Sequence, residues 1–206
     1  MGSEGYILAI DQGTTRTKSI VFDKSGNIVG SGYKEVPSLY PRPGWVEQRP
    51  DDILQSIIDS VNMALKKGGV NWSEIVAIGI ANQGETVIMW DSSTGEPVYN
   101  AISWQCRRTA DICEKLKARG LESKIREKTG LIIDPYFSAT KIKWILENVE
   151  EVKDKLEQGR IMCGTSDAWI IWKLTGGQSF VTDYVTASRT MLLNIHSLKW
   201  DSEILD

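Results

Sequence analysis

The chain has 206 residues, enough to bury a core in one large domain or two small ones. Its 24 basic and 27 acidic residues give a net charge of -3 with no basic run, which excludes the electrostatic footprint of a nucleic-acid or acidic-membrane binder. Three cysteines (Cys106, Cys113, Cys163) are too few and wrongly spaced for a Cys-x-x-Cys site, and their odd number fits a reducing cytoplasm. No apolar stretch reaches the length of a membrane span, and Ile75–Ala81 is among the longest. Residues 1–5 lack the basic start and apolar centre of a signal peptide and read as a cloning remnant. The expectation is a cytoplasmic protein that binds neither nucleic acid nor membrane.

Residues 6–10 read as a buried strand that runs into Asp11-Gln12-Gly13-Thr14-Thr15. An Asp, a Gly and two hydroxyls at a strand end are parts suited to phosphate and metal. Gly13 admits positive φ and puts no Cβ in the way of a phosphate. The amides around it can form an anion-binding nest, to which Thr14 and Thr15 add hydroxyl donors. Asp11 is a hard oxygen ligand for Mg2+, directly or through water. An ordinary β-turn capped by Asp and Thr has the same composition.

Residues 18–23 read as a second strand, Lys24-Ser25-Gly26-Asn27 as a hairpin turn, and residues 28–36 as a third strand. The first turn of this meander would hold a phosphate without a helix N-terminus. Neither Gly-x-x-x-x-Gly-Lys-Ser/Thr nor a helix-opening Gly-x-Gly-x-x-Gly occurs. The Pro/Gly loop at 39–45 excludes helix. Asp51 or Asp52 then caps a helix with the apolar face Ile53, Leu54, Ile57, Ile58, Val61 and Leu65, which ends at Gly68-Gly69. The continuous apolar run Ile75–Ala81 has the pattern of a strand covered on both faces. Residues 87–90 resume as strand. Arg107-Arg108 reads as part of a solvated helix face. Helical spacing returns at Ala110, Cys113 and Leu116, at Ile142, Ile145 and Leu146, and at Ala168, Trp169 and Trp172.

The order predicts the α/β class, a mixed sheet with flanking helices. The first three strands should be antiparallel neighbours, and the Ile75 strand, reached through a helical crossover, should lie parallel to the first. No linker marks a boundary, so residues 1–206 read as one domain. Polar residues interrupt the core pattern at Asn82, Gln83, Glu85 and Thr86, at the strand end where open α/β sheets bind ligands. Glu85 can accept hydrogen bonds from a polyol, and Gln83 can donate or accept; a solvated loop is the plainer alternative. Ser103-Trp104-Gln105-Cys106 sets an aromatic beside polar groups, which suits the C–H face of a sugar or polyol, although most of the eight tryptophans should be core. Asp134-Pro135-Tyr136-Phe137 is a third such cluster, also readable as a simple turn.

Several segments carry a family resemblance. They are Asp11-Gln12-Gly13-Thr14-Thr15, Tyr40-Pro41-Arg42-Pro43-Gly44-Trp45-Val46-Glu47, Ile78-Gly79-Ile80-Ala81-Asn82-Gln83, Tyr99-Asn100-Ala101-Ile102 and Trp104-Gln105-Cys106-Arg107-Arg108-Thr109-Ala110. Thr129-Gly130-Leu131-Ile132-Ile133-Asp134-Pro135-Tyr136-Phe137-Ser138, Thr182-Asp183-Tyr184 and Ala187-Ser188-Arg189-Thr190-Met191-Leu192 complete the set. In this order, over nearly the whole chain, they resemble the N-terminal domain of the FGGY carbohydrate kinases, and within that family the glycerol kinases. The first segment alone is shared by the wider actin-like ATPases; the Trp-Gln-Cys-Arg-Arg and Asp-Pro-Tyr-Phe segments are far more specific.

The resemblance implies a ribonuclease H-like (actin-like ATPase) fold, ATP and Mg2+ as cofactors, and a small polyol substrate, with glycerol giving sn-glycerol 3-phosphate. It implies that Thr14 and Thr15 contact the transferring phosphoryl, that Arg16 and Lys18 meet nucleotide phosphate, and that Asp11 helps hold the metal. It places Gly84, Glu85, Trp104 and Tyr136 in the polyol pocket. Two departures stand out. Where the glycerol kinases carry Asn-Gln-Arg-Glu-Thr, this chain has Asn82-Gln83-Gly84-Glu85-Thr86, so an Arg for the substrate hydroxyls is missing and another polyol or a ketose stays open. The sequence also stops at Asp206, before the family's catalytic Asp and C-terminal nucleotide-binding domain; residues 1–206 alone should then lack useful kinase activity, and a homo-oligomer of the whole protein stays open. The competing class is a non-catalytic actin-like binding module, against which Glu85, Trp104 and Tyr136 argue together.

Overall fold

The computed structural model describes residues 5–206. The expected cloning remnant, apart from Gly5, lies outside the described residues. The strands and helices follow in chain order: β1 (Tyr6–Gln12), β2 (Arg16–Phe22), β3 (Ile28–Glu35), β4 (Glu47–Gln48), α1 (Pro50–Gly68), β5 (Ile75–Ala81), β6 (Val87–Asp91) and β7 (Ala101–Ile102). Then come α2 (Ala110–Ala118), α3 (Glu122–Thr129), α4 (Ser138–Asn148), α5 (Glu150–Glu157), β8 (Ile161–Thr165) and α6 (Ser166–Leu174). The last are α7 (Tyr184–Ser188), β9 (Leu193–Asn194), β10 (Lys199–Trp200) and α8 (Ser202–Leu205). They form two compact units, one of residues 5–38 with Gln48–Gln83, the other of Leu39–Glu47 with Gly84–Asp206.

The first unit is a four-stranded mixed sheet of order β3-β2-β1-β5. β1, β2 and β3 are antiparallel neighbours, and β5 lies parallel to β1, as the two short turns and the crossover helix require. The β2–β3 turn closes because the Asp23 carboxylate accepts from the Ser25 and Asn27 amides and Gly26 takes φ +80°. Helix α1 starts two or three residues earlier than expected. Arg49 is its N-cap and Pro50 its first helical residue, since a proline already has helical φ and lacks the N–H that would go unpaired, while Asp51 and Asp52 sit in the first turn. Gly69, with φ +64°, ends it.

Ile53, Ile57, Val61 and Leu65 bury one face of α1 against β2 and β3. Gly30 and Gly32 let the helix come close: a Cβ there would lie 2.1 Å from the Ala64 carbonyl and 2.2 Å from that of Ser60. At this seam Ser19 pairs with Ser60 at 2.7 Å and Thr17 with Ser56 at 2.6 Å. β5 departs from expectation. Val76 is 70% exposed and Ile78 48%, because β5 is an edge strand and α1 seats on β2 and β3 instead. The apolar run gave the strand correctly but not its cover.

The second unit has a four-stranded sheet of order β4-β7-β6-β8. Its β6 is buried throughout and pairs antiparallel with both β7 and β8. Val87, Met89, Ile102, Ile145 and Val152 form one core, and Cys113, Ile125, Ile133, Phe137 and Met191 a second. Helices α2, α4 and α6 lie where the apolar spacing places them. Arg108 does not. It precedes α2, its side chain is fully buried, and it meets Glu47 at 2.6 Å while stacking 3.9 Å from the Trp45 ring centroid and 4.6 Å from that of Trp144. A buried guanidinium of this kind needs a carboxylate, and Glu47 lies 61 positions earlier, out of reach of any local reading.

Candidate functional site

In the first unit the residues expected to hold phosphate lie on the β1–β2 hairpin. Asp11 sits directly opposite Lys18 across the two strands, so both exposed side chains lie on one sheet face. Arg16, also exposed, stands two positions before Lys18 and shares that face by strand alternation. Thr15 is exposed and Thr14 half-buried at the turn. The nest expected around Gly13 does not form in the way foreseen. Gly13 does not use positive φ, and its amide donates to the Arg16 carbonyl at 3.1 Å, so its lack of a Cβ serves approach to that carbonyl.

The turn is braced from beneath by three buried glutamines. Gln12 Nε2 donates to the Gly13 carbonyl at 2.8 Å and Gln48 Nε2 to the Thr14 carbonyl at 2.7 Å. Gln83 Nε2 donates to Gln48 Oε1 at 3.0 Å and to Gln12 Oε1 at 3.3 Å. Gln83, expected to face a ligand, is thus committed to this brace. A primary amide has both donors and an acceptor, so such a cluster satisfies itself without buried charge. Among the described residues no three His, Cys, Asp or Glu converge as a metal cage. One exposed carboxylate beside exposed cations and hydroxyls instead fits a Mg2+ delivered on nucleotide phosphates, which typically uses one or two protein carboxylates.

In the second unit Gly84, Glu85, Trp104 and Tyr136 do come together, around a residue the sequence did not single out. The buried Glu85 accepts from Arg189 Nε at 2.7 Å through Oε1. The Arg189 guanidinium lies 5.8 Å from the Tyr136 ring centroid and 5.1 Å from that of Phe137, and Tyr136 in turn tilts against Trp104 at 5.4 Å. Burial acts to lower the pKa of Arg189, but Glu85 and Tyr136 outweigh it and raise it above its ordinary value. A Cβ on Gly84 would stand 3.4 Å from Arg189 Cγ.

The loop that carries Tyr136 is pinned at several points. Its amide is bound by Asp134 Oδ1 at 2.8 Å. The fully buried Lys141 Nζ donates to the carbonyls of Pro135, Tyr136 and Phe137 at 2.7, 2.5 and 3.0 Å. Burial pushes Lys141 down to about 7, against the opposing pull of Cys106, Glu85, Cys113 and Asp134. Arg189 falls inside a segment that carried the family resemblance, where an Arg in the run Ala187-Ser188-Arg189-Thr190-Met191-Leu192 was the available signal, while Lys141 lies three positions past another.

Residues 6–206 match the FGGY family of carbohydrate kinases, N-terminal domain. The chain belongs to that family, and its mixed sheet with flanking helices is the actin-like, ribonuclease H-like ATPase domain the resemblance implied. It is 57% identical over 201 residues to a glycerol kinase of Halothermothrix orenii, covering 98% of this chain and 40% of that protein. Among solved structures it is similar to Plasmodium falciparum glycerol kinase with ADP, with TM-score 0.91 and 38% identity over 99% of this chain and 40% of that one. A gluconate kinase from Lactobacillus acidophilus is also similar, with TM-score 0.86 and 30% identity over 99% and 39%. The chain therefore spans about two fifths of the length of the curated relatives it matches.

Proposed function

We propose that the whole protein to which this chain belongs transfers the γ-phosphoryl of Mg·ATP to a primary hydroxyl of glycerol, giving sn-glycerol 3-phosphate, and that residues 1–206 are its N-terminal domain. The observation that carries this reading is the second unit's constellation of one carboxylate, one guanidinium and two aromatic faces in Glu85, Arg189, Trp104 and Tyr136. A small polyol offers hydroxyls that both donate and accept, and C–H faces that lie on aromatic rings. The 57% identity to a glycerol kinase supports glycerol over longer polyols. A larger polyol or ketose is the second reading, favoured by the space at Gly84 and by the similarity to a gluconate kinase. A non-catalytic module would have no use for the constellation.

When bound, ATP supplies the phosphoryl group and Mg2+ neutralises the charge it carries. Phosphoryl transfer otherwise asks mainly for positioning and charge neutralisation. Asp11 would hold the metal, the Thr14 and Thr15 hydroxyls would bind phosphoryl oxygens, and Arg16 and Lys18 would offset phosphate charge. The glutamine brace keeps the turn from moving as charge develops. Glu85 orients the substrate by accepting from its hydroxyls, and Trp104 and Tyr136 exclude water from its carbon face. Three unpaired cysteines support a cytoplasmic location. Among the described residues no helix is long and apolar enough to cross a membrane.

The test is ADP formation by the whole protein with glycerol, erythritol, xylitol, xylulose and gluconate, comparing the wild type with Asp11→Asn and Glu85→Gln. Glycerol should have the highest kcat/KM, and each variant should lower it by about 100-fold or more. No ADP above background with any of the five, or full activity in Glu85→Gln, would overturn the reading.

A further inference from the structure

We propose that Arg189 is a substrate-binding, specificity-determining residue: held by Nε on Glu85, it donates from its terminal nitrogens to a hydroxyl oxygen of the polyol, in the space that Gly84 leaves open. This rests on the kinase reading above and names the group that makes the site selective for a hydroxyl besides the one phosphorylated.

A guanidinium carries five N–H donors in a rigid planar fork. In Arg189 only those toward Glu85 and Tyr136 have partners among the described residues. Its side chain is 38% exposed whereas that of Glu85 is 9% exposed, so the ion pair has a buried carboxylate end and an accessible cationic end. The Glu85 bond and the Tyr136 and Phe137 rings already fix the fork, which removes most of the ordering penalty that a free Arg would incur on binding.

Glu85 Oε1 is taken by Arg189, and a carboxylate has further lone pairs on both oxygens with which to accept from a hydroxyl. The site therefore presents an acceptor-only oxygen beside donor-only nitrogens. A hydroxyl can satisfy both at once, giving its proton to Glu85 and its lone pair to Arg189. A methyl or methylene in its place satisfies neither, so the ligand class is a small compound with two or more free hydroxyls. Gly84 is the complement of this arrangement. Its φ is not positive, and a Cβ would lie 3.4 Å from Arg189 Cγ, in ordinary contact, so a longer side chain at 84 would run along the Arg189 stem.

The experiment uses the whole protein with glycerol, 1,2-propanediol and 1,3-propanediol, each diol lacking one glycerol hydroxyl but retaining a primary one. Arg189→Gln should raise KM for glycerol by about 10- to 100-fold, the effect of losing one charge-assisted hydrogen bond. It should change KM by less than about threefold for the diol that lacks the hydroxyl bound by Arg189, since that bond is already absent. Arg189→Lys should recover part of the glycerol affinity. Equal losses on all three substrates would mean that Arg189 only props Glu85, and would overturn the proposal, as would an unchanged glycerol KM. Should Arg189→Gln fail to fold by circular dichroism, Gly84→Leu crowds the Arg189 stem while keeping the ion pair's chemistry, and the same substrate-selective pattern is required of it. If the wild type transfers no phosphoryl group, the kinase reading fails on its own, and calorimetric binding of the three ligands to the same variants still decides the role of Arg189.

Discussion

The two units solve opposite versions of one electrostatic problem. On the first unit's hairpin the charged groups, Asp11, Arg16 and Lys18, are exposed, and what is buried beneath them is neutral: Gln12, Gln48 and Gln83, with the hydroxyl pairs Ser19–Ser60 and Thr17–Ser56 behind. In the second unit charges themselves are buried, and each has an opposite partner: Glu85 with the part-exposed Arg189, and Glu47 with the equally buried Arg108. If the hairpin binds phosphate, as proposed above, it is best supported by groups that add rigidity without a counter-charge to compete with the incoming anion. On the function proposed above, a site for a neutral polyol would need strong directional bonds and no net charge, which an ion pair such as Glu85–Arg189 supplies. On that proposal, the character of the buried support follows the charge of the ligand.

The sharpest way to break this comparison is to remove one partner from each kind of support. Arg108→Met leaves the Glu47 carboxylate buried with only Tyr99 and Asn100 as donors, and should cost roughly 3–5 kcal/mol in urea unfolding. Gln83→Leu leaves neutral amide oxygens without donors and should cost about 1–3 kcal/mol. Equal losses would mean that charge makes no difference to the burden each support carries. Burial alone would raise the Glu47 carboxyl, but Asn100, Arg108 and Tyr99 outweigh it and hold it below 4.5. Its contribution is therefore in place above the ordinary carboxylate value and lost as pH falls through the lowered one. Glu47→Gln should flatten that acid limb of the stability profile.

Lys141 adds a test in the opposite pH direction. Its value in the folded chain, about 7, lies below its ordinary 10.5, so the unfolded chain binds more protons between those limits. Stability should accordingly rise with pH from about 7 toward 10.5, and Lys141→Met should abolish that rise. Substrate binding should move the other way. Only the ammonium has three donors for the Pro135, Tyr136 and Phe137 carbonyls, so deprotonation releases one of them and loosens the loop that carries Tyr136. Glycerol KM should climb above pH 7 while KM for ATP does not; parallel changes in both would refute the link between Lys141 and the polyol loop.

The first unit was almost fully legible in its sequence, because its determinants are local. Gly26-Asn27 sets a hairpin, the apolar face from Ile53 to Leu65 sets a helix, and the crossover through that 19-residue helix sets a parallel pairing, as a helix between two strands commonly does. The second unit was legible only where apolar spacing is dense. Helices α3 and α5 are strongly charged and bury a single aliphatic each, Ile125 and Val152, so they show no stripe. The polar breaks at Glu85, Trp104 and Tyr136 were visible because polar residues interrupt apolar runs there. Arg189 was not, since its partner Glu85 lies 104 positions away, and the same holds for Arg108 with Glu47. Long-range ion pairs have no local signature.

The smallest expected effect tests whether the neutral support really works by hydrogen bonding. At the seam between β2 and α1, Ser60 donates to the Ile57 carbonyl at 3.0 Å and shares a second bond with Ser19 at 2.7 Å, which makes Ser19 the donor of that pair. Ser19→Ala removes this donor but leaves the Ser60 proton satisfied within its own helix, so the loss should be about 1 kcal/mol. Ser60→Ala strips Ser19 of its acceptor and should cost about the same. Close contact at Gly30 and Gly32 keeps the helix from sinking to fill the gap, so neither loss is relieved by movement. The double variant leaves two matched methyl groups and no stranded hydroxyl, and should cost less than the sum of the singles by about 0.5 kcal/mol or more. The corresponding cycle at Glu47 and Arg108 should give a coupling several times larger. Strict additivity at the serine pair would show that these hydroxyls merely fit the seam, and that the rigidity of the hairpin comes from the glutamine brace alone.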